Sequence, residues 1–118
     1  MALEGIEDVE AMSVKAGVKM LELKGFEILE EDYRKFVVSR DGCCVAFCRV
    51  LGSRGRLKPV SESDREALVR EFEEAIVDYF KQDGVEPDVA IRLDMMNVAV
   101  IADDRAVIKH FINVCNER

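Results

Sequence analysis

The sequence predicts an α/β domain, a mixed β-sheet flanked by helices. Three observations point there. A segment near the N-terminus repeats apolar residues at helical spacing, a run of β-forming residues is broken by one strong turn signal, and a second helical segment separates that run from further strand-like residues. At 118 residues the chain has the length of one domain with one core, 1–118. It is 49% hydrophobic and 35% charged, which is a globular rather than a disordered profile.

Taken in order, residues 6–23 read as the first helix, because Val9, Met12, Ala16, Met20 and Leu23 recur at three- and four-residue intervals. Gly17 weakens that helix and Gly25 is its expected stop. Phe26–Tyr33 reads as a strand or extended entry. Lys35–Arg40, with Phe36, Val37 and Val38, reads as the next strand. Asp41-Gly42 is the strongest hairpin signal in the chain. Cys43–Leu51 is apolar almost throughout, as a strand buried on both faces would be. Gly52–Pro59 reads as a loop. Ser63 and Glu66 form a capping-box pattern that opens a helix running to about Gln82. Its apolar stripe is Leu68, Phe72, Ala75, Ile76, Tyr79 and Phe80, and Asp83-Gly84 ends it. Val89–Asp94 reads as one strand and Asn97–Ala102 as its antiparallel neighbour. Residues 106–114 read as a short helix capped by Asp103 or Asp104, with a last strand as the alternative. The expected order is α-β-β-β-α-β-β plus a tail, a meander followed by a crossover helix.

A net charge of −7 counts against strong nonspecific nucleic-acid binding, since proteins that neutralise many phosphates usually carry the opposite sign. It leaves room for a local basic patch, because salt screens charges beyond roughly 10 Å. No apolar run approaches the ~20 residues that span a bilayer, so no membrane association is expected. The opening Met1–Gly5 is acidic and has no charged-then-apolar signal pattern, which makes a cytoplasmic location the default.

The four cysteines are Cys43, Cys44, Cys48 and Cys115, and their spacing is no disulfide framework. They read as reduced, buried, small apolar side chains. A zinc site is disfavoured by geometry. On an extended strand Cys44 and Cys48 share a face but sit about 13 Å apart, at ~3.3 Å per residue, while Cys43 and Cys44 point to opposite faces. No metal or cofactor is expected.

Several strings in this order resemble a known family. Gly25-Phe26-Glu27-Ile28-Leu29 leads to Tyr33-Arg34; Arg40-Asp41-Gly42 forms a turn; Phe47 stands mid-strand. Arg65, Leu68, Ala75, Tyr79 and Phe80 follow on a helix, then Arg92-Leu93-Asp94, then Ile108-Lys109-His110-Phe111-Ile112-Asn113. Together they resemble the YraN-like family, small bacterial proteins of restriction-endonuclease-like fold, over about residues 16–115. The resemblance implies membership of the wider PD-(D/E)-x-K group. There, an aspartate on one strand and a glutamate on the next hold hard cations, and a lysine two positions on activates water. Residues i and i+2 of a strand share a face, so both reach one ion-bound phosphate.

This sequence departs from that pattern. The aspartate place falls on Phe36 and the preceding acidic place near Arg34. Arg49 stands in the glutamate place, Leu51 in the lysine place and Val14 near the early glutamate. A cation beside a metal site repels the metal by roughly 4 kcal/mol at 4 Å and an effective dielectric of 20. No family catalytic residue carries over, so a catalytically inactive descendant is expected. Glu30, Glu31, Asp32, Asp41 and Asp94 are the acids that a rearranged metal site would have to use.

The most suggestive functional feature is basic. From Cys43 to Val60 stand Arg49, Arg54, Arg56 and Lys58, with no acidic residue between. Gly52 and Gly55 would let the backbone approach a ligand, and guanidinium forks suit phosphate. The plainer reading is a solvated loop that balances Glu62, Asp64 and Glu66. His110 shows no acidic or cysteine partner in the sequence and reads as a structural or surface histidine rather than a base. Arg92 and Asp94 share a face and read as structural, pairing with each other or capping neighbouring loops, and Met95-Met96 reads as core or edge filling. Three functions follow: a non-catalytic nuclease-fold protein that binds nucleic acid or a partner in nucleic-acid metabolism; a protein-interaction or scaffolding module, perhaps a homodimer; and a metal-dependent nuclease with migrated acidic ligands.

Overall fold

A computed structural model describes residues 6–82, 89–102 and 104–114. One five-stranded sheet, in the order β1-β2-β3-β4-β5, carries one helix on each face. The elements are α1 (Ile6–Leu23), β1 (Glu27–Tyr33), β2 (Phe36–Asp41), β3 (Cys44–Arg54), α2 (Glu62–Tyr79), β4 (Ala90–Ala102) and β5 (Arg105–Phe111). β1, β2 and β3 form an antiparallel meander, α2 crosses over so that β4 lies parallel to β3, and β5 returns antiparallel at the edge. The fold is therefore mixed α/β. No helix among the described residues is long and apolar enough to cross a membrane.

The alternation of side chains along the strands divides the core in two. Phe36, Val38, Val45, Phe47, Leu93 and Met95 face α2, whose Leu68, Phe72, Ala75 and Tyr79 recur at helical spacing. Four rings meet there edge to face, with Phe47 5.4 Å from Tyr79, 5.8 Å from Phe72 and 6.0 Å from Phe36. On the other face Val37, Cys48, Met96, Val98 and Val100 meet α1.

The buried stripe of α1 differs from the expected one. It runs through Val9, Ser13, Gly17, Val18 and Leu21, while Leu23 is 81% exposed. Small residues bring the helix close to the sheet. A Cβ on Gly17 would lie 2.9 Å from Met96 Sδ, and one on Gly52 would land on Ser13. Gly17 is thus a packing residue rather than a weak spot. The helix ends as Gly25 predicts, in a Schellman motif. Gly25 (φ 93°) donates to the Glu22 carbonyl, and Phe26 donates to the Leu21 carbonyl at 3.0 Å.

α2 begins two residues earlier than the Ser63 box predicts. Ser61 is extended and its Oγ accepts from the Asp64 amide at 3.1 Å. Glu62 and Asp64 then occupy the first turn, where the helix dipole favours acids. The expected stop at Asp83-Gly84 lies outside the described residues, as do Asp103 and Cys115.

Four further expectations are corrected. The two strands expected over 89–102 are one strand, and Met95 and Met96 sit inside it on opposite faces. Asp94 and Asn97 imitate turn residues in sequence, but both are buried with partners. The helix expected over 106–114 is instead β5. Its exposure alternates because α2 does not cover it and one face looks outward. β3 also runs to Arg54, so Gly52, Ser53 and Arg54 pair with Val98, Ala99 and Val100 instead of forming a loop. Finally, Cys43 is exposed, because the two-residue turn is Gly42-Cys43, with Gly42 supplying the positive φ.

The β1–β2 turn carries strain. Arg34 (φ 51°) and Lys35 (φ 71°) both sit in the left-handed region between Tyr33 and Phe36, where each non-glycine residue costs roughly 1–2 kcal/mol. Replacing them with the preferred pair, Arg34→Asn with Lys35→Gly, is expected to raise stability by about 1 kcal/mol after the added chain entropy of glycine. Urea unfolding checks this, and a lower midpoint would show that the turn's own contacts matter more.

Candidate nucleic-acid interface

The four basic residues singled out in the sequence separate into two settings. Arg49 lies across from Phe36 on the α2 face of β3. Its guanidinium stacks 4.3 Å from the Phe36 ring, pairs with Glu71 on α2 at 2.9 Å, and donates from Nε to the Lys35 carbonyl at 3.0 Å. Those contacts hold the strained Arg34-Lys35 turn against the helix. Arg49 therefore spends much of its donor fork inside the fold.

Arg54, Arg56 and Lys58 are exposed at the C-terminal end of β3, beyond which the chain enters α2. The backbone between them is fixed at several points. Gly55 (φ 90°) donates to the Val100 carbonyl at 3.0 Å; Ser53 Oγ donates to the Arg56 carbonyl at 2.6 Å; Asn97 Nδ2 donates to the Lys58 carbonyl at 2.6 Å. Buried Ser53 and Asn97 thus anchor an exposed basic segment, so its charges are presented with little ordering cost.

Two cavities adjoin this end of the sheet. One, of about 470 Å³, lies between β3 and the start of α2 and takes in Arg49, Leu51, Lys58, Asp64, Glu71 and Asn97. Another, of about 690 Å³, opens between α1, the β1–β2 turn and β3. Glu10, Glu31 and Asp32 line it, but so do Lys15, Lys35 and Arg49. Among the described residues no three His, Cys, Asp or Glu side chains converge as a metal-binding set. Phe36 is wholly buried beneath Arg49 and does not line that cleft.

No protein-family model matches this chain. No curated protein matches its sequence either.

A second cluster centres on Asp94. This carboxylate is fully buried and accepts four hydrogen bonds: from Arg92 Nε (2.9 Å) and Nη2 (3.1 Å), from His110 Nε2 (3.1 Å) and from the Asn113 amide (2.9 Å). Arg92 also reaches Asp41 at 3.0 Å. Lys24 Nζ lies 2.9 Å from His110 Nδ1. An ammonium can only donate, so Nδ1 accepts and Nε2–H donates to Asp94. Burial pushes the Asp94 carboxyl pKa up, but the bonds from His110, Arg92 and Asn113 outweigh it and hold that pKa below the ordinary range. The Arg92–Asp94 pair follows from their spacing of two. The His110 partner does not, because it needs residues 105–111 to be a strand that sets His110 beside Met96.

Cys44 and Cys48 lie near this cluster. Burial raises both thiols, Cys48 very strongly, so neither is an activated nucleophile. The cluster is a lock: it ties β2, β4, β5, the end of α1 and the chain after β5 together.

Proposed function

We propose that this chain is a cytoplasmic, restriction-endonuclease-like module of YraN-like descent that binds nucleic acid without cutting it. The observation that carries the reading is the anchored, exposed segment holding Arg54, Arg56 and Lys58, with no acid between Cys43 and Val60. Three cations on a fixed backbone suit successive phosphates, and arginine forks suit them best. The α/β sheet with its meander and crossover helix agrees with the family resemblance. The non-catalytic part rests on Phe36, Arg49 and Leu51 at the three catalytic places. Arg49 lines the adjoining cavities while its charge faces Glu71.

The test is fluorescence anisotropy with labelled single-stranded and duplex DNA at low salt. The double variant Arg54→Ala/Arg56→Ala is expected to weaken binding about tenfold or more, with the fold intact by circular dichroism. Incubation with magnesium or manganese is expected to leave both substrates whole. Wild-type protein that fails to bind either DNA contradicts the binding role. Cation-dependent cleavage contradicts the inactive site and points to Glu10, Glu31 and Asp32. One observation favours the interaction-module reading: edge strand β5 and its flank expose Val107, Phe111 and Ile112.

A further inference from the structure

A third cavity, of about 550 Å³, lies on the other side of the basic segment, against the outer face of β5. Its cations are Lys58, Arg65 and Lys109, and among the described residues no acidic side chain lines it. Its apolar wall includes Met95 and Phe111. Phe111 is 37% exposed, and Lys109 Nζ stands 5.8 Å from its ring centroid. β5 presents the two together because residues 109 and 111 share a strand face. The cavity is continuous with the basic segment through Lys58, whose carbonyl is held by Asn97. Its volume suits a small organic group, within the roughly 300–1,000 Å³ of ligand sites.

Cations beside a partly exposed ring are what an unpaired nucleotide needs: phosphate on the ammonium groups and a base on the ring. A paired base keeps both faces inside the duplex stack and cannot use the ring. We propose that this cavity selects single-stranded over duplex nucleic acid, with Phe111 as the stacking platform and Lys58 and Lys109 on the flanking phosphates. The inference rests on the nucleic-acid reading above and adds strand selectivity to it. The Asp94 lock matters here as well, since His110 and Asn113 bracket Phe111 and fix where β5 presents it.

The experiment uses a labelled 15-nucleotide oligothymidine and a duplex of equal length, titrated with wild type, Phe111→Ala and Arg54→Ala/Arg56→Ala. Phe111→Ala is expected to weaken single-strand binding about tenfold while changing duplex binding less than about twofold. The chain contains no tryptophan, so Phe111→Trp provides an independent reporter. Its emission is expected to be quenched by the oligothymidine and not by the duplex. Unchanged single-strand affinity in Phe111→Ala, equal loss on both DNAs, or an unquenched Phe111→Trp overturns the stacking site. If the arginine variant still weakens binding in that case, the nucleic-acid reading stands alone. If wild type binds neither DNA, both fall.

Discussion

Asp94→Ala is expected to destabilise the fold by about 3–5 kcal/mol, the cost of leaving a buried charge network without its acceptor. The size follows from the geometry. Four donors lose their partner at once, and two of them belong to Arg92, whose side chain is only 14% exposed. Asp41 remains for Arg92, but it is 42% exposed and replaces only part of the loss. His110 keeps Lys24, a second donor, and so gains no acceptor. In a thermal melt the loss corresponds to roughly 10–25 °C. Equilibrium urea unfolding gives the energy directly, and a loss below about 1 kcal/mol would mean that water screens the cluster.

The same carboxylate sets an acid limit. Its folded pKa lies below the ordinary value, because bonds from His110, Arg92 and Asn113 overcome burial. The stability it supplies is therefore complete above the unfolded carboxylate range and is lost as pH falls through the folded value. Asp94→Asn is expected to flatten this part of the stability–pH curve, at a cost near neutral pH.

Phe47→Ala is the second large effect, about 3–5 kcal/mol. Phe47 is wholly buried in β3 and touches rings from β2 and α2. Its removal leaves a hole that Phe36 and Tyr79 cannot fill without leaving their edge-to-face packing. Phe47→Leu keeps most of the volume and is expected to recover more than half of the loss. Denaturant unfolding of the pair separates volume from ring geometry; equal losses would show that the ring contacts, not the volume, carry the energy.

Patterns that depend on near neighbours were legible in the sequence. The α2 stripe, the Gly25 stop, the presence of a hairpin at Gly42 and the Arg92–Asp94 pair all depend on residues within about one turn or one strand step of each other. What was misread depends on distant partners. Residues 90–102 form one strand because β3 pairs along most of its length, and nothing local distinguishes that from a hairpin. The Asn97 partner and the His110 and Asn113 partners of Asp94 lie 16 or more residues away, so nothing local showed that these polar residues sit inside one buried strand. Residues 105–111 lack a covered second face, so their alternation was diluted by exposed Val107 and Phe111 and resembled a helix.

The candidate site was legible as charge but not as geometry. Arg49, Arg54, Arg56 and Lys58 stood out together in the sequence, whereas the fold turns Arg49 inward to Glu71 and Phe36 and leaves the other three at the sheet end. Lys109 and Phe111 share a face only because residues 105–111 form a strand, the alternative to the helix that the sequence favoured.

The most direct measurement is the salt dependence of affinity for a single-stranded oligonucleotide, for wild type and for Arg54→Ala/Arg56→Ala. Each phosphate contact contributes about 0.7 to the slope of log K against log salt. Wild-type affinity is expected to fall as salt rises, and the variant's slope to be shallower by about 1.4. Identical slopes, or no wild-type binding at the lowest salt, would contradict a role for the basic end of β3 in holding nucleic acid.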